Sequence, residues 1–253
     1  MKLAAVAAIW VWIAGCSMPQ ARLYWRVREL ALASPPVIEL QNPEGTIVLT
    51  MNAQTVNKLL LAHFRITRSA GVQAELVIAD GEHPNALVGL MTGRRVVAIN
   101  TAMIMLIGDD IDEFAALLAH ETAHWAKGHV DAGKLRSKTI EGMGALLGSG
   151  LAMVGIPAAG LITGIGGDLL AASFSRDEER EADALSVDYI MANGFDPHAA
   201  LRLQEKMQKL PGGLPVPFLS RHPSGTERID NLKKLIAAKK TQQPAEPERL
   251  GDR

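Results

Sequence analysis

The chain contains one cysteine, Cys16, in 253 residues. No intrachain disulfide is possible, so an exported location is compatible with the count but not indicated by it. A surplus of charge of one sign is also missing. Lys and Arg number 26 against 27 Asp and Glu, a formal net charge of −1. That leaves no electrostatic case for nucleic acid as a partner. Aromatic residues make up only 4 %, while Ala, Gly, Leu and Met are plentiful. That balance predicts a mostly α-helical fold, and the length allows one domain of about 190 residues with accessory ends. No internal repeat is evident.

Against this background one stretch stands out. Phe114-Ala115-Ala116-Leu117-Leu118-Ala119-His120-Glu121-Thr122-Ala123-His124-Trp125 is apolar and of helical period, and it contains H-E-x-x-H. Residues four apart lie above one another on a helix, so both imidazoles point the same way. Two imidazoles on one face can hold a zinc ion, with Glu121 beside them as a base for peptide hydrolysis. The motif alone is moderately specific, and a surface helix carrying two ordinary histidines is the competing reading. The apolar flanks argue against it: buried His and Glu side chains need partners, and a metal satisfies all three.

The rest of the chain divides as follows. Residues 17–45 carry Pro19, Pro35, Pro36 and Pro43 and read as a tether with some local structure. Within it Tyr24-Trp25-Arg26 either rests at a lipid interface or packs on the domain. Residues 51–67 predict an amphipathic helix with Thr50 or Asn52 as cap. His63 reads as a residue of that helix's face, not a ligand. Residues 74–79 predict a strand, 80–85 a turn-rich loop and 94–99 a second strand. A short helix over 101–107 follows. Asp109-Asp110 then place negative charge at the start of the H-E-x-x-H helix, which ends near Gly128. His129 reads as a terminus residue. Gly142 to Gly167 holds nine glycines, Pro157 and no charge. Pro157 splits it into halves too short to span a bilayer, so two short helices over the catalytic core or beside the membrane are preferred to a spanning helix. Helices are predicted from Arg176 to Asn193-Gly194, from Pro197 to about 210 and over 225–239. Residues 211–217 read as a loop and 240–253 as a disordered tail.

Two imidazoles do not complete a catalytic zinc site, which uses three protein ligands. Trp125-Ala126-Lys127-Gly128-His129 offers no close continuation, so the third ligand is a distant Glu. Ser175-Arg176-Asp177-Glu178-Glu179-Arg180-Glu181-Ala182-Asp183 provides three, Glu178, Glu179 and Glu181, and helical geometry does not choose among them. Glu179 and Asp183, four apart, share a face, which suits one carboxylate for a metal and one to orient a ligand.

His120-Glu121-Thr122-Ala123-His124 followed by Ser175-Arg176-x-x-Glu179-x-x-Ala182-Asp183 resembles the HtpX and CAAX-prenyl-protease-like zinc metallopeptidases, metallopeptidase family forty-eight. The resemblance runs from about residue 50 to 236 and includes Asn85-Ala86 and His222-Pro223 with Glu227-Arg228-Ile229. It implies a zincin-type (gluzincin) domain, α+β and mostly α-helical, with a small β-sheet. It also implies one Zn2+ per chain held by His120, His124 and Glu179, with Glu121 as catalytic base. Asp183 would orient a ligand imidazole, and His222 and Arg228 would lie near the cleft. His222 would either stabilise the transition state or occupy the open zinc position at rest. Leu87 stands where relatives often carry an aromatic. The implied activity is a zinc metalloendopeptidase acting on protein or peptide substrates, misfolded or misassembled envelope proteins. The alternatives are an envelope assembly chaperone with little or no proteolysis and an inner-membrane protease spanning at residues 1–15 and 142–167. The strand 94–99 is either an edge to which an extended substrate adds or an ordinary internal strand.

Residues 1–15 have a weakly basic start and a short apolar core. Ile13-Ala14-Gly15-Cys16 resembles a bacterial lipobox, against a plain N-terminal helix with a chance cysteine. The resemblance implies a signal peptide over 1–15, acylation of Cys16 and membrane attachment through it. Ser17 after the cysteine implies the outer membrane, facing the periplasm. The expected division is then signal peptide 1–15, lipidated tether 16–45, peptidase domain 46–239 and tail 240–253.

Overall fold

The computed structural model describes residues 24–33, 35–133, 174–210, 218–219, 222 and 226–242. The expected signal peptide, Cys16, the glycine-rich segment 142–167, the loop 211–217 and the tail from 243 onward lie outside the described residues.

The sheet forms where short apolar runs meet. β1 (Tyr24–Arg26), β4 (Glu75–Ala79), β5 (Ala86–Met91) and β6 (Arg94–Asn100) make four strands in the order β1-β4-β6-β5. β4 and β6 run parallel; β1 and β5 are antiparallel to their neighbours. β4 and β6 are internal and apolar without alternation, as strands covered on both faces are. A separate antiparallel pair joins β2 (Val37–Gln41) to β3 (Ile47–Asn52).

Seven helices of the described chain matter here: α1 (Val27–Ala33), α2 (Ala53–Ser69), α3 (Thr101–Ile107), α4 (Ile111–Ala126), α5 (Arg176–Ala192), α6 (Ala199–Gln208) and α7 (Thr226–Gln242). Asn52 is the cap of α2, accepting from the Thr55 N–H at 2.8 Å. Asn100 caps α3 in the same way, accepting from Met103 N–H. α4 is the central element. Thirteen of its sixteen residues are buried, the mark of a helix enclosed on all sides. It packs on α2, α5, α6 and the β5–β6 hairpin. The expectation of an α+β, mostly helical domain with a small sheet and a buried H-E-x-x-H helix holds.

Two expectations change, and two alternatives left open by the sequence are decided. β5 was missed: Ala86-Leu87-Val88-Gly89-Leu90-Met91 lacks alternation, and its link to β6 is Thr92-Gly93 instead of the usual Asn-Gly. Both residues have positive φ, 48° and 77°, as a two-residue hairpin turn of the primed type requires. Leu87 is buried on this strand. The strand around 94–99 is internal, and it is β5 that stands at the edge. Residues 24–33 and 35–41, expected to form a tether with some local structure, are built into the fold. Trp25 and Val27 are buried in the core with Ile38 and Leu40, so Tyr24-Trp25-Arg26 packs on the domain. The nearby prolines carry the tether reading: β1 is held by β4, distant in sequence, but β2 pairs with β3 across the short turn of Asn42 to Thr46.

Candidate metal centre

Both ends of α4 are pinned. At its start Asp110 accepts from the Asp112 and Glu113 N–H groups at 2.9 and 3.1 Å. Asp109 instead turns to α2, where it pairs with Lys58 at 2.7 Å and accepts from Thr55. At its end Trp125 Nε1 donates to Val96 O on β6 at 3.1 Å, and the Arg95 guanidinium lies 5.0 Å above the Trp125 ring. The helix between them therefore presents His120 and His124 from a fixed platform. Their Nε2 atoms are 3.2 Å apart.

α5 supplies the acid. Ser175 and Glu178 form a reciprocal capping box: Ser175 Oγ accepts from Glu178 N–H, and Glu178 Oε2 accepts from Ser175 N–H at 2.7 Å. That use of Glu178 sorts the three glutamates. Glu178 turns back to the helix start. Glu181 faces His129 and Lys127, at 3.3 and 3.7 Å. Glu179 points at the histidines: its carboxylate lies 3.4 Å from His120 Nε2, 3.4 Å from His124 Nε2 and 2.8 Å from His222 Nδ1. His222 Nδ1 is also 3.1 Å from His120 Nε2. His120, His124, Glu179 and His222 each offer one donor atom, all within 4.8 Å of one another.

Around the donors the partners are charged and buried. His120 Nδ1 donates to Asp183 Oδ1 at 3.1 Å, one turn along α5 from Glu179. Arg228 of α7 grips Asp183 with Nε and Nη2, at 2.8 and 2.7 Å, and reaches Glu179 at 3.1 Å. Phe174 stacks on His124 with ring centroids 3.6 Å apart, and Phe218 stacks on His222 at 4.5 Å. Burial and Arg228 push the His120 pKa down, but Glu179 and Asp183 outweigh them and hold it up at about 9. Burial pushes His124 well below the usual imidazole range. Burial works against the charged form of Glu179, yet the three surrounding imidazoles, His120 foremost, hold its carboxyl far below the usual range.

The donor set fits a single divalent cation. Two imidazoles and a carboxylate are the ligands of a known class of catalytic zinc site, and a third imidazole stands beside them. Burial alone would not assemble four such groups, because a buried donor without a partner is costly. Among the described residues both carboxylate oxygens of Glu121 are buried without a hydrogen-bond partner. Glu121 Oε1 is nevertheless only 3.4 Å from His222 Nε2. Its carboxylate is thus fully enclosed and stands beside the donors. The group is able to bind one metal ion, consistent with a single Zn2+.

The structure therefore brings together His120, Glu121, His124, Glu179, Asp183, His222 and Arg228, while Cys16 lies outside the described residues. Phe174 and Phe218 are not read from the sequence as site residues, and His129 is read as a terminus residue and not a ligand. The phenylalanines carry no local signal. His129 carries a faint one: it follows Gly128, whose φ of +71° reverses the chain so that the next residue returns to the helix it has just left. His63, by contrast, is remote from the centre and donates to Ala74 O at 2.9 Å.

Comparison with known proteins agrees with this geometry. The mitochondrial metalloendopeptidase OMA1 of Schizosaccharomyces pombe is 29 % identical over 183 residues, 72 % of this chain and 52 % of that protein. Metalloprotease LoiP of Escherichia coli is 29 % identical over 136 residues, 50 % of each chain. The beta-barrel assembly-enhancing protease of Yersinia pestis is 28 % identical over 134 residues, 49 % of this chain and 27 % of that one. The chain spans about half the length of the first two of these curated relatives. The profile of peptidase family M48 matches residues 53–236, a stretch that contains every donor of the centre, and on that match the chain belongs to peptidase family M48.

Proposed function

We propose that this protein is a zinc-dependent metalloendopeptidase. The observation that carries the reading is the enclosed carboxylate of Glu121, unpartnered beside a buried His120–His124–Glu179 donor set. In this reading His120, His124 and Glu179 hold the ion. When bound, zinc supplies a Lewis acid that brings the pKa of water from about 15.7 toward about 7 and polarises a carbonyl. Glu121 accepts the proton of the attacking water and delivers it to the amine leaving group. Asp183, itself held by Arg228, fixes the tautomer of His120 by accepting from its Nδ1–H. For His222 the packing favours the resting role: its ring lies among the donors, stacked on Phe218, and must swing aside to admit a substrate carbonyl. β5 offers the sheet edge to which an extended peptide adds, since it pairs only with β6 among the described residues.

Glu121→Gln tests the proposal. The variant should retain one zinc per chain by metal analysis and lose peptide cleavage by several orders of magnitude. Glu179→Ala should lose the metal, whereas Glu178→Ala and Glu181→Ala should keep it. Full activity of Glu121→Gln removes that carboxylate from the mechanism and favours a binding role such as an assembly chaperone.

The likeness to HtpX and CAAX-prenyl proteases and to their exported lipoprotein branch belongs to this proposal. So does attachment through acylated Cys16 to the outer membrane, with the signal peptide over 1–15 and a lead-in shortened to 16–23. What supports an envelope setting is the lipobox-like sequence and a relative named for beta-barrel assembly. No helix among the described residues is long and apolar enough to cross a membrane. The substrate class proposed is misfolded or misassembled envelope protein. Metabolic palmitate labelling that requires Cys16 is the expected result; no label on Cys16 refutes the anchor without touching the metal centre.

A further inference from the structure

The two imidazoles of α4 are oriented by different means. His120 Nδ1 meets the buried Asp183–Arg228 ion pair directly. His124 Nδ1 faces no carboxylate. It lies 3.1 Å from Nδ1 of His129, which is itself buried. The far nitrogen of His129, Nε2, lies 3.3 Å from Glu181 Oε2, and Glu181 stands at the surface 3.7 Å from Lys127.

Only one assignment of protons satisfies this chain while leaving the lone pair of His124 Nε2 available at the point it shares with Glu179 and His120. The Glu181 carboxylate accepts from His129 Nε2–H. That leaves His129 Nδ1 as an acceptor, and it takes the proton of His124 Nδ1–H. Phe174 fixes the plane of the His124 ring by stacking but has no acceptor. Among the described residues, His129 is the hydrogen-bond partner of His124 Nδ1, and Gly128 makes the contact possible by turning the chain back. We propose that His129 is a positioning residue for the metal centre: with Glu181 it sets the tautomer and rotation of His124, as Asp183 and Arg228 do for His120. Glu181, undecided among three glutamates in the sequence, thereby has its own task at the end of this relay.

The inference rests on zinc binding by this centre, and the experiment separates the two. Zinc affinity is measured by competition with a chromogenic chelator. The absorption spectrum of the cobalt-substituted protein reports ligand geometry, and the Tm of metal-stripped protein reports the fold. His129→Phe keeps the ring and its contact with Phe174 but removes the acceptor. It should weaken zinc binding by about 10–100-fold and alter the cobalt spectrum, with the Tm of the stripped protein unchanged. His129→Asn places an acceptor oxygen near the lost Nδ1 and should recover much of the affinity. Glu181→Gln, which keeps the acceptor and removes the charge, should cost only a few-fold. Wild-type affinity and spectrum in His129→Phe overturn the inference and leave the metal centre standing. A fall in the Tm of stripped His129→Phe with no recovery in His129→Asn also overturns it, because His129 is then a packing residue. Should the unaltered protein bind no zinc, the proposed function falls, and the inference falls with it.

Discussion

Besides His129, four buried histidines among the described residues show how one side chain takes different roles by what its two nitrogens meet. His120, His124 and His222 each turn one nitrogen toward a shared point, while the other nitrogens of His120 and His124 are spoken for. His63 has no such centre. Its Nε2–H donates to Ala74 O, and its Nδ1 is buried with no hydrogen-bond partner among the described residues. Burial pushes the pKa of His63 below the usual 6.5. A proton taken up near pH 6.5 by the unfolded chain is thus refused by the fold. The stability this confers is fully present above about pH 6.5 and is lost as pH falls through that value toward the folded pKa, with a limiting slope of about 1.4 kcal/mol per pH unit for one proton. His63→Gln removes the titration. With the metal stripped from both proteins, the stability advantage of wild type over His63→Gln should shrink between pH 7.5 and 5.5 by urea unfolding. An advantage that is the same at both values shows that His63 does not titrate at a lowered pKa. The sequence reading of His63 as a helix-face residue and not a ligand agrees with its distance from the centre, but its burial against the start of β4 was not legible, because that contact crosses from α2 to another element.

At the scale of the element, what was legible follows from locality. The starts of α2, α4 and α5 are written in Asn52, Asp110 and Ser175, each within three residues of the N–H it caps. Helical period and caps therefore placed α2, α4, α5, α6 and α7 within a few residues. The local hairpins β2–β3 and β5–β6 escape because Pro35, Pro36 and Pro43 read as a tether and Thr92-Gly93 is an unusual turn, and β1 escapes because its partner β4 lies far along the chain. The same distinction applies to the three glutamates of α5. Their angular spacing on the helix is plain, but which faces α4 is a tertiary fact; the family resemblance, not the period, selected Glu179. The capping box now gives a reason. Glu178 is committed to Ser175 N–H, and Glu179 is the first residue past that closed turn. Ser175→Ala should cost about 1 kcal/mol, seen as a fall of about 2–4 °C in Tm. Because fraying of that turn loosens Glu179, zinc retention against a chelator should weaken by a few-fold. If the Tm falls and zinc retention does not, the first turn of α5 does not position the donor.

At the scale of the whole molecule, the centre joins parts of the chain that are far apart in sequence. His120 and His124 sit on the enclosed α4, Glu179 on α5, and His222 lies just ahead of α7, whose Arg228 closes over Asp183. Without a cation, charges must balance among themselves: Glu179 and Asp183 face Arg228 and a His120 whose pKa they hold at about 9. Zinc would displace that proton and tie the same three segments more tightly, since binding that occurs only in the folded state is folding free energy. Zinc free at about 1,000 times its dissociation constant would add about 4 kcal/mol. For a domain of this size that corresponds to about 8–16 °C in Tm. Chelation of wild type should therefore lower the Tm by about that amount, and zinc but not magnesium should restore it. Glu178→Ala should respond to chelator as wild type does, whereas Glu179→Ala should melt at one temperature with or without chelator, because it has lost the donor shared by both α4 imidazoles. A Glu179→Ala protein that still gains wild-type stability from zinc places the ion elsewhere, and the relation between α4 and α5 described here is then a packing contact with no part in metal binding.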